Sequence, residues 1–308
     1  VQIACTLDQP LTDRPVVLTI GRFDGVHWGH QLLVRTAVER AQELGFTSAV
    51  LTWEPHPNAV IRPNHPLHLL TNLEERIELI GALGPDLLVV APFTRETMST
   101  SAAVYMRQIC AALPVRELWV GSDFAMGYKR EGDIPRLMEI GRDLGYAVGT
   151  VNREDANGET ISSSRVRQLL RAGDVEGVQP LLGRPFGLRG VVVEGDRRGR
   201  TIGFPTANLV IDAIHVLPAD GVYACVVYLD GAPLPAVTNV GLRPTFNSTS
   251  RTVEAHLLDW EGDIYGHSLR IEFLHRLRGE QKFNGVAELV AQISRDAARA
   301  RELLMTPK

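Results

Sequence analysis

Two histidines three residues apart, in a glycine-rich turn, are the first residues whose types and spacing suit chemistry. Residues 21–30 read GRFDGVHWGH and directly follow the apolar run VVLTI of residues 16–20. A short β-branched run ending in such a turn reads as a buried strand meeting a loop. Beyond it, Leu32, Leu33, Arg35, Thr36, Val38 and residues 39–44 mix apolar and charged positions at helical spacing and stop at Gly45, a C-cap. His27 and His30 therefore fall at the start of a helix and can share one side of it. Free N–H groups and the positive end of the dipole favour an anion there. Gly25 and Gly29 lack a Cβ and allow a bulky ligand near the backbone. This arrangement suits a polyphosphate; the plainer alternative is a glycine turn in which each histidine packs or caps locally.

Five further stretches carry chemically useful residues. In WEPHP, residues 53–57, the prolines fix an extended turn that either aims His56 at a pocket or leaves it in solvent. In GSDFAMG, residues 121–127, Asp123 either contacts a base or ribose or makes an ordinary Asx-turn. ISSSRVR, residues 161–167, is a second phosphate cradle or a serine N-cap with surface arginines behind it. Residues 195–208, GDRRGRTIGFPTAN, are glycine-rich and basic without the order of a Walker loop; an exposed hairpin is the alternative. RTVEAHLL, residues 251–258, sets Glu254 in a β-forming run, where a glutamate most often faces solvent.

The elements that must position these residues change character midway. Short apolar runs at 49–53, 87–90, 118–120 and 147–151 alternate with helical patterns at 72–83, 101–113 and 134–144. That alternation predicts a Rossmann-like parallel sheet wrapped by helices, with ligands at the carboxyl ends of the strands. Gly173, Gly177, Pro180, Gly183, Pro185 and Gly187 mark a boundary, and the absence of a long linker predicts close packing of the halves. Beyond it, runs at 190–194, 222–229, 236–240, 252–258 and 269–273, with turns at 230–231 and 261–263, predict a small antiparallel β-barrel. A final helix over 286–304, with Leu289, Ile293 and Ala297 on one stripe, is expected to close it.

Composition bounds the partners. A chain of 308 residues, 44% hydrophobic and 22% charged, reads as two globular domains. A net charge of -4 gives no global attraction to nucleic acid or an anionic membrane, so neither is expected as a partner and any polyphosphate must be held locally. Cys5, Cys110 and Cys225 are odd in number and form no CxxC pair, which argues for a reducing compartment without a disulfide framework or zinc site. No apolar run approaches a membrane span and no charged-then-apolar leader opens the chain, so a cytoplasmic location is expected. A homo-oligomer is left open, and so is the true start, since position 1 is Val1.

The motifs agree with one another. FDGVHWGH, WEPHP, GSDFAMG and ISSSRVR occur in the order and at about the spacing of the bacterial bifunctional riboflavin kinase/FAD synthetase family, which the amino-terminal half resembles. Trp53 and Met126 stand where the family more often has Phe, Ser164 replaces the usual Thr, and Asp123 stands where some members have Asn; all conserve size or polarity. From residue 184 to 296, GRTIGFPTANL, LPADGVYA, NVGLRPTF, VEAHLLD, IYGHSLRIEFL and LRGEQKF follow one another as in riboflavin kinases. The resemblance implies an FMN adenylyltransferase domain over 1–183 and a riboflavin kinase domain over 184–308.

It also implies roles. Adenylyl transfer from ATP to the phosphate of FMN gives FAD and pyrophosphate, and the attacking phosphate is already anionic near pH 7, so no general base is required. His27 and His30 are assigned to the ATP phosphates, Arg167 with Ser163 and Ser164 to the β/γ end, and Asp123 to the nucleotide. Gly21, Phe23, Asp24 and Gly25 belong to the same ATP loop, and His56 to the flavin side. In the kinase the nucleophile is the neutral terminal ribityl hydroxyl of riboflavin, so Glu254 is assigned as general base. Thr206 and Asn208 are implied magnesium and phosphate ligands, Gly195, Gly199 and Gly203 fold over ATP, and Arg278 and Phe283 form a lid over the flavin. Mg2+ is expected with ATP, and FMN and FAD are substrate and products rather than prosthetic groups. Another nucleotidylyltransferase or a class I aminoacyl-tRNA synthetase, or a barrel that only binds flavin, are the competing readings; the synthetase would need a lysine-rich loop where this chain has ISSSRVR.

Overall fold

The computed structural model describes residues 1–152, 161–195, 202–244 and 249–305. By internal contacts the chain divides into two compact units, Val1–Ser163 and Ser164–Lys308.

In the first unit, β1 (Gln2–Ala4), β2 (Val16–Ile20), β3 (Thr47–Glu54), β4 (Leu87–Pro92), β5 (Val115–Gly121) and β6 (Ala147–Val151) form one parallel sheet in the order β1-β4-β3-β2-β5-β6. After β4 the chain crosses back to lay β5 on the free side of β2. The strand order therefore reverses beside β2, which makes a crevice at the carboxyl ends of β2 and β5. All five residues of β2 are buried, as its unbroken apolar run requires of a strand covered on both faces. One face packs Leu18 and Ile20 against Met106 and Ile109 of α5 (Ala102–Ala112) and Leu137 and Ile140 of α6 (Ile134–Leu144). The other packs Val50 and Leu88 against Leu33 and Val34 of α1 (Trp28–Leu44) and Ile80 of α3 (Leu73–Gly81). Helix α1 ends where expected, with Gly45 left-handed at φ 68° and its N–H returned to the last turn. The short α2 (Pro57–Ile61) and α4 (Arg95–Ser99) and the three-residue β1 carry too few positions to show a period in the sequence.

The second unit takes in α7 from Ser164 onward (Ser163–Ala172), then α8 (Val175–Leu182) and, among the described residues, six strands. These are β7 (Phe186–Val193), β8 (Ala207–Ile211), β9 (Gly221–Leu229), β10 (Ala232–Pro244), β11 (Thr249–Leu257) and β12 (Ser268–Arg278), an antiparallel barrel closed in the order β10-β11-β8-β7-β12-β9. The glycine- and proline-rich stretch read as a boundary contains a helix. Asp174 caps α8 through the Gly177 N–H at 2.8 Å, and Val175, Val178, Leu181 and Leu182 are buried, which outweighs the poor propensities of Gly177 and Pro180. Strand pairing alone closes the barrel. The last helix, α9 (Val286–Met305), instead lies along the wall, where Ala297 and Ala300 pack on Val222, Ala224 and Val237. Among the described residues no helix is long and apolar enough to cross a membrane, and Cys5, Cys110 and Cys225 are all thiols.

Candidate active sites

In the first unit the loop leaving β2 takes three left-handed residues in four, Phe23 at φ 51°, Gly25 at 79° and Val26 at 39°. Such conformations cost of order 1–3 kcal/mol at non-glycine positions and persist only where the surroundings impose them. The surroundings do so here. Asp24 Oδ1 accepts the N–H groups of Leu70 at 2.8 Å and Thr71 at 3.2 Å, the Gly25 N–H donates to Thr71 Oγ1 at 3.0 Å, and Ser163 Oγ donates to the Asp24 carbonyl at 2.9 Å. Phe23 is fully buried, and a Cβ on Gly21 would come within 3.0 Å of its ring. A Cβ on Gly25 would meet Leu70 at 2.6 Å, so that glycine answers to packing beneath the loop as well as to its backbone angle.

The loop delivers His27 to the N-cap position of α1, where its carbonyl accepts the N–H groups of His30 at 2.8 Å and Gln31 at 3.0 Å. The two imidazoles stack with centroids 3.6 Å apart and planes 19° apart, and Phe23 meets His30 edge-on at 5.2 Å. Both histidines are buried at the amino end of a seventeen-residue helix. The sequence reading that set them on one side describes this arrangement.

Neighbouring loops rise from the adjacent strands. His56, after β3, is buried rather than solvated; it caps α2, with Nδ1 accepting the Asn58 N–H at 3.2 Å. Trp53, before it, donates to Tyr105 Oη at 2.8 Å, and burial pushes that phenol up to about 12 against this hydrogen bond. After β5, residues 121–127 curl through a Phe124 N–H to Gly121 carbonyl bond at 2.9 Å, and Asp123 is exposed, its carbonyl accepting from Arg130 at 3.2 Å. The sheet order β3-β2-β5 makes the strands behind His56, His27 and Asp123 immediate neighbours. Sequence reasoning missed Arg76. Its buried guanidinium donates to the Arg22 carbonyl at 3.3 Å, the Trp53 carbonyl at 3.1 Å and Glu54 Oε2 at 2.7 Å, tying the loop after β2 to the end of β3. Nothing local in LTNLEER announces those partners, which are 22 to 54 residues away. Ser164 and Arg167 lie on α7 within the second unit.

In that unit the strand register assembles the second constellation. Glu254 on β11 stands opposite Asn208 on β8 and, on its other side, opposite Asn239 on β10. It alternates with the buried Val253 and Ala255, so the row of carboxamide, carboxylate and carboxamide faces outward from the barrel. Asn239, quoted in the NVGLRPTF motif without a role, is thus brought beside Glu254 by pairing the sequence does not display. A Cβ on Gly195 would lie 2.2 Å from Asn208 Nδ2, so the glycine lets the backbone after β7 close onto that side chain. Gly203 is left-handed at φ 85°, and Thr206 is half-buried one residue before β8. Gly199 lies outside the described residues. Arg278 sits over Phe283 at 5.7 Å, and its Nε donates to the buried Asp296 of α9 at 2.9 Å, so the guanidinium is anchored to that helix.

Comparison with known proteins bears on both units. The FAD synthetase family model matches residues 9–165 and the riboflavin kinase family model matches residues 182–304. A Bacillus subtilis (strain 168) protein named bifunctional riboflavin kinase/FMN adenylyltransferase is 38% identical over 290 residues, covering 92% of this chain and 91% of its own. An Escherichia coli (strain K12) protein of the same name is 38% identical over 288 residues, covering 93% and 92%. A solved Streptococcus pneumoniae structure, described as a macrolide-efflux protein, superposes with a TM-score of 0.89 at 32% identity over 97% of this chain and 98% of that one.

Proposed function

The chain belongs to the bifunctional riboflavin kinase/FMN adenylyltransferase family, and from that premise we infer how its residues divide two consecutive reactions. The protein is an enzyme that phosphorylates riboflavin to FMN with ATP and transfers the adenylyl group of ATP to FMN, giving FAD and pyrophosphate. We assign adenylyl transfer to residues 1–183 and kinase chemistry to residues 184–308.

In adenylyl transfer an oxygen of the FMN phosphate forms a bond to the α-phosphorus of ATP as the bond to the β-phosphate oxygen breaks. The nucleophile brings its own charge, so the protein's work is alignment and the support of negative charge. His27 and His30 receive phosphates at the start of α1; Ser163, Ser164 and Arg167 serve the β/γ end. Asp123 serves the nucleotide and His56 the flavin side, while Gly21, Phe23, Asp24 and Gly25 hold the loop in shape. In the kinase reaction the ribityl hydroxyl loses its proton to Glu254 as its oxygen attacks the γ-phosphorus and ADP leaves. Thr206 and Asn208 offer neutral oxygens suited to magnesium, and the close approach of Gly195 to Asn208 forms a cradle that a side chain would fill. Magnesium, when bound with ATP, neutralises phosphate charge there. Gly195, Gly199 and Gly203 cover the nucleotide, and Arg278 and Phe283 flank the flavin. A reducing cytoplasm suits the three thiols.

The observation that carries this reading is that each reaction has its own constellation, the stacked histidines in one unit and the Asn208–Glu254 pair in the other. The test is chromatographic separation of riboflavin, FMN and FAD after incubation with riboflavin, ATP and magnesium. FMN followed by FAD is expected. His30→Ala should accumulate FMN, with adenylyl transfer down by about 100-fold or more. Asn208→Ala should stop FMN formation yet still adenylylate supplied FMN. Equal loss of both products in either folded variant removes the two-site assignment, and riboflavin phosphorylation retained by Glu254→Ala removes that residue as base.

A further inference from the structure

We propose that His256 is a positioning residue for riboflavin phosphorylation, fixing the Pro205–Thr206 peptide and so the placement of Thr206 beside Asn208 and Glu254. The proposal rests on the assignment of Thr206 and Asn208 given above. His256 Nδ1 lies 2.7 Å from the Pro205 carbonyl oxygen. A carbonyl oxygen only accepts, so Nδ1 must carry the hydrogen. The imidazole also meets the Phe204 ring edge-on, with centroids 5.4 Å apart and planes at 74°.

Backbone freedom shows what this contact decides. Phe204 precedes a proline and is confined to extended conformations, and the pyrrolidine ring fixes φ of Pro205. The main rotation left before Thr206 is ψ of Pro205, which swings the Pro205 carbonyl together with the Thr206 N–H and side chain. The β8–β11 ladder cannot supply this restraint, because its first paired residue is Ala207, opposite Ala255. The bond from His256 does supply it. His256 is two residues beyond Glu254 and alternates with the buried Ala255 and Leu257, so both side chains rise from the same outward face of β11. One strand thus holds the carboxylate and, one step along, the clamp that orders the segment carrying the neutral oxygen ligands.

The test compares His256→Phe, which keeps an aromatic ring against Phe204 without the donor, His256→Gln, which moves the amide away from the Nδ1 position, and His256→Asn, whose amide nitrogen falls near that position. For riboflavin phosphorylation at saturating ATP and magnesium, Phe and Gln are expected to lower kcat by about 10- to 100-fold, the usual effect of losing a group that orients a ligand. KM for riboflavin should stay unchanged, and Asn should remain within about threefold of the parent because the hydrogen bond is kept. The unchanged KM for riboflavin and a parent-like urea midpoint of the barrel report that each variant is folded. Full kcat in the Phe or Gln variant, or an equal loss in all three, overturns the proposal. Thr206→Ala and Asn208→Ala are assayed alongside: full kinase activity in those two overturns the assignment on which it rests, whereas their loss with the His256 variants unaffected overturns the proposal alone.

Discussion

Two constraints of different origin meet at Gly25, a φ of 79° and a Leu70 methyl 2.6 Å from where a Cβ would stand. Gly25→Ala is expected to destabilise the first unit by about 1–3 kcal/mol, seen as a lower urea midpoint with riboflavin phosphorylation retained. Asp24→Ala strips the acceptor from the N–H groups of Leu70 and Thr71 and should cost about 1–3 kcal/mol, while Asp24→Asn, which keeps a carbonyl oxygen, should cost less. Either alanine variant at full stability would show that the loop has other support. Thiol chemistry divides along similar lines. Cys5 is exposed, whereas burial pushes the Cys225 thiol up to about 12, so a thiol reagent should label Cys5 in the native protein and Cys225 only after denaturation, read by mass spectrometry. At this scale the sequence displays residues whose partners are local. His27 and His30 are one helical turn apart and were legible; Arg76, Asn239 and Asp296 take their meaning from partners on other strands or helices and were not.

Elements were legible where they are long and carry a clean period. β2 and α1 announce themselves through an unbroken apolar run and a Gly45 stop, whereas α8 is disguised by Gly177 and Pro180 and exists because its apolar side chains are buried. The pairing of β8 with β11 skips the intervening β9 and β10, and no local pattern encodes it. One junction between elements also sets a pH dependence. Glu117 on β5 is pushed up by burial, but hydrogen bonds from Arg40 of α1, at 3.0 Å, and from Trp119, at 2.8 Å, outweigh this and leave its carboxyl below the usual range. A carboxylate whose folded pKa is depressed stabilises the fold above its unfolded pKa and loses that contribution as pH falls through the folded value. Glu117→Gln should therefore lower Tm at pH 7, and the gap from the parent should close as the pH drops toward about 3. A gap that is constant with pH would remove the ion pair as its cause.

At the scale of the molecule, the division by packing and the division by sequence kinship fall at different points: α8, except for its last residue Leu182, lies before the riboflavin kinase match, yet belongs to the second compact unit. Within that unit Gln179 donates to the Leu274 carbonyl at 3.2 Å, Glu176 accepts the Arg276 N–H at 3.1 Å, and the Ala219 N–H reaches the Leu170 carbonyl at 2.8 Å. A fragment spanning 164–308 should consequently resist urea better than one spanning 184–308, by several kcal/mol at about 1.5–3 kcal/mol for each buried side chain of α8 that is lost. Equal midpoints would make the helices passengers. The two-part plan itself was legible because each half has its own periodicity; the exchange of α7 and α8 toward the barrel was not, since it is decided by long-range contacts. Barrel closure has a further consequence, for the order in which the protein comes into being. The strand that joins β7 to β9 is β12, the last of the described strands, so during synthesis the parallel sheet can be complete while the barrel still presents two raw strand edges. A chain that ends before β12 leaves β7 and β9 open to pairing with another copy, the hazard that closure removes.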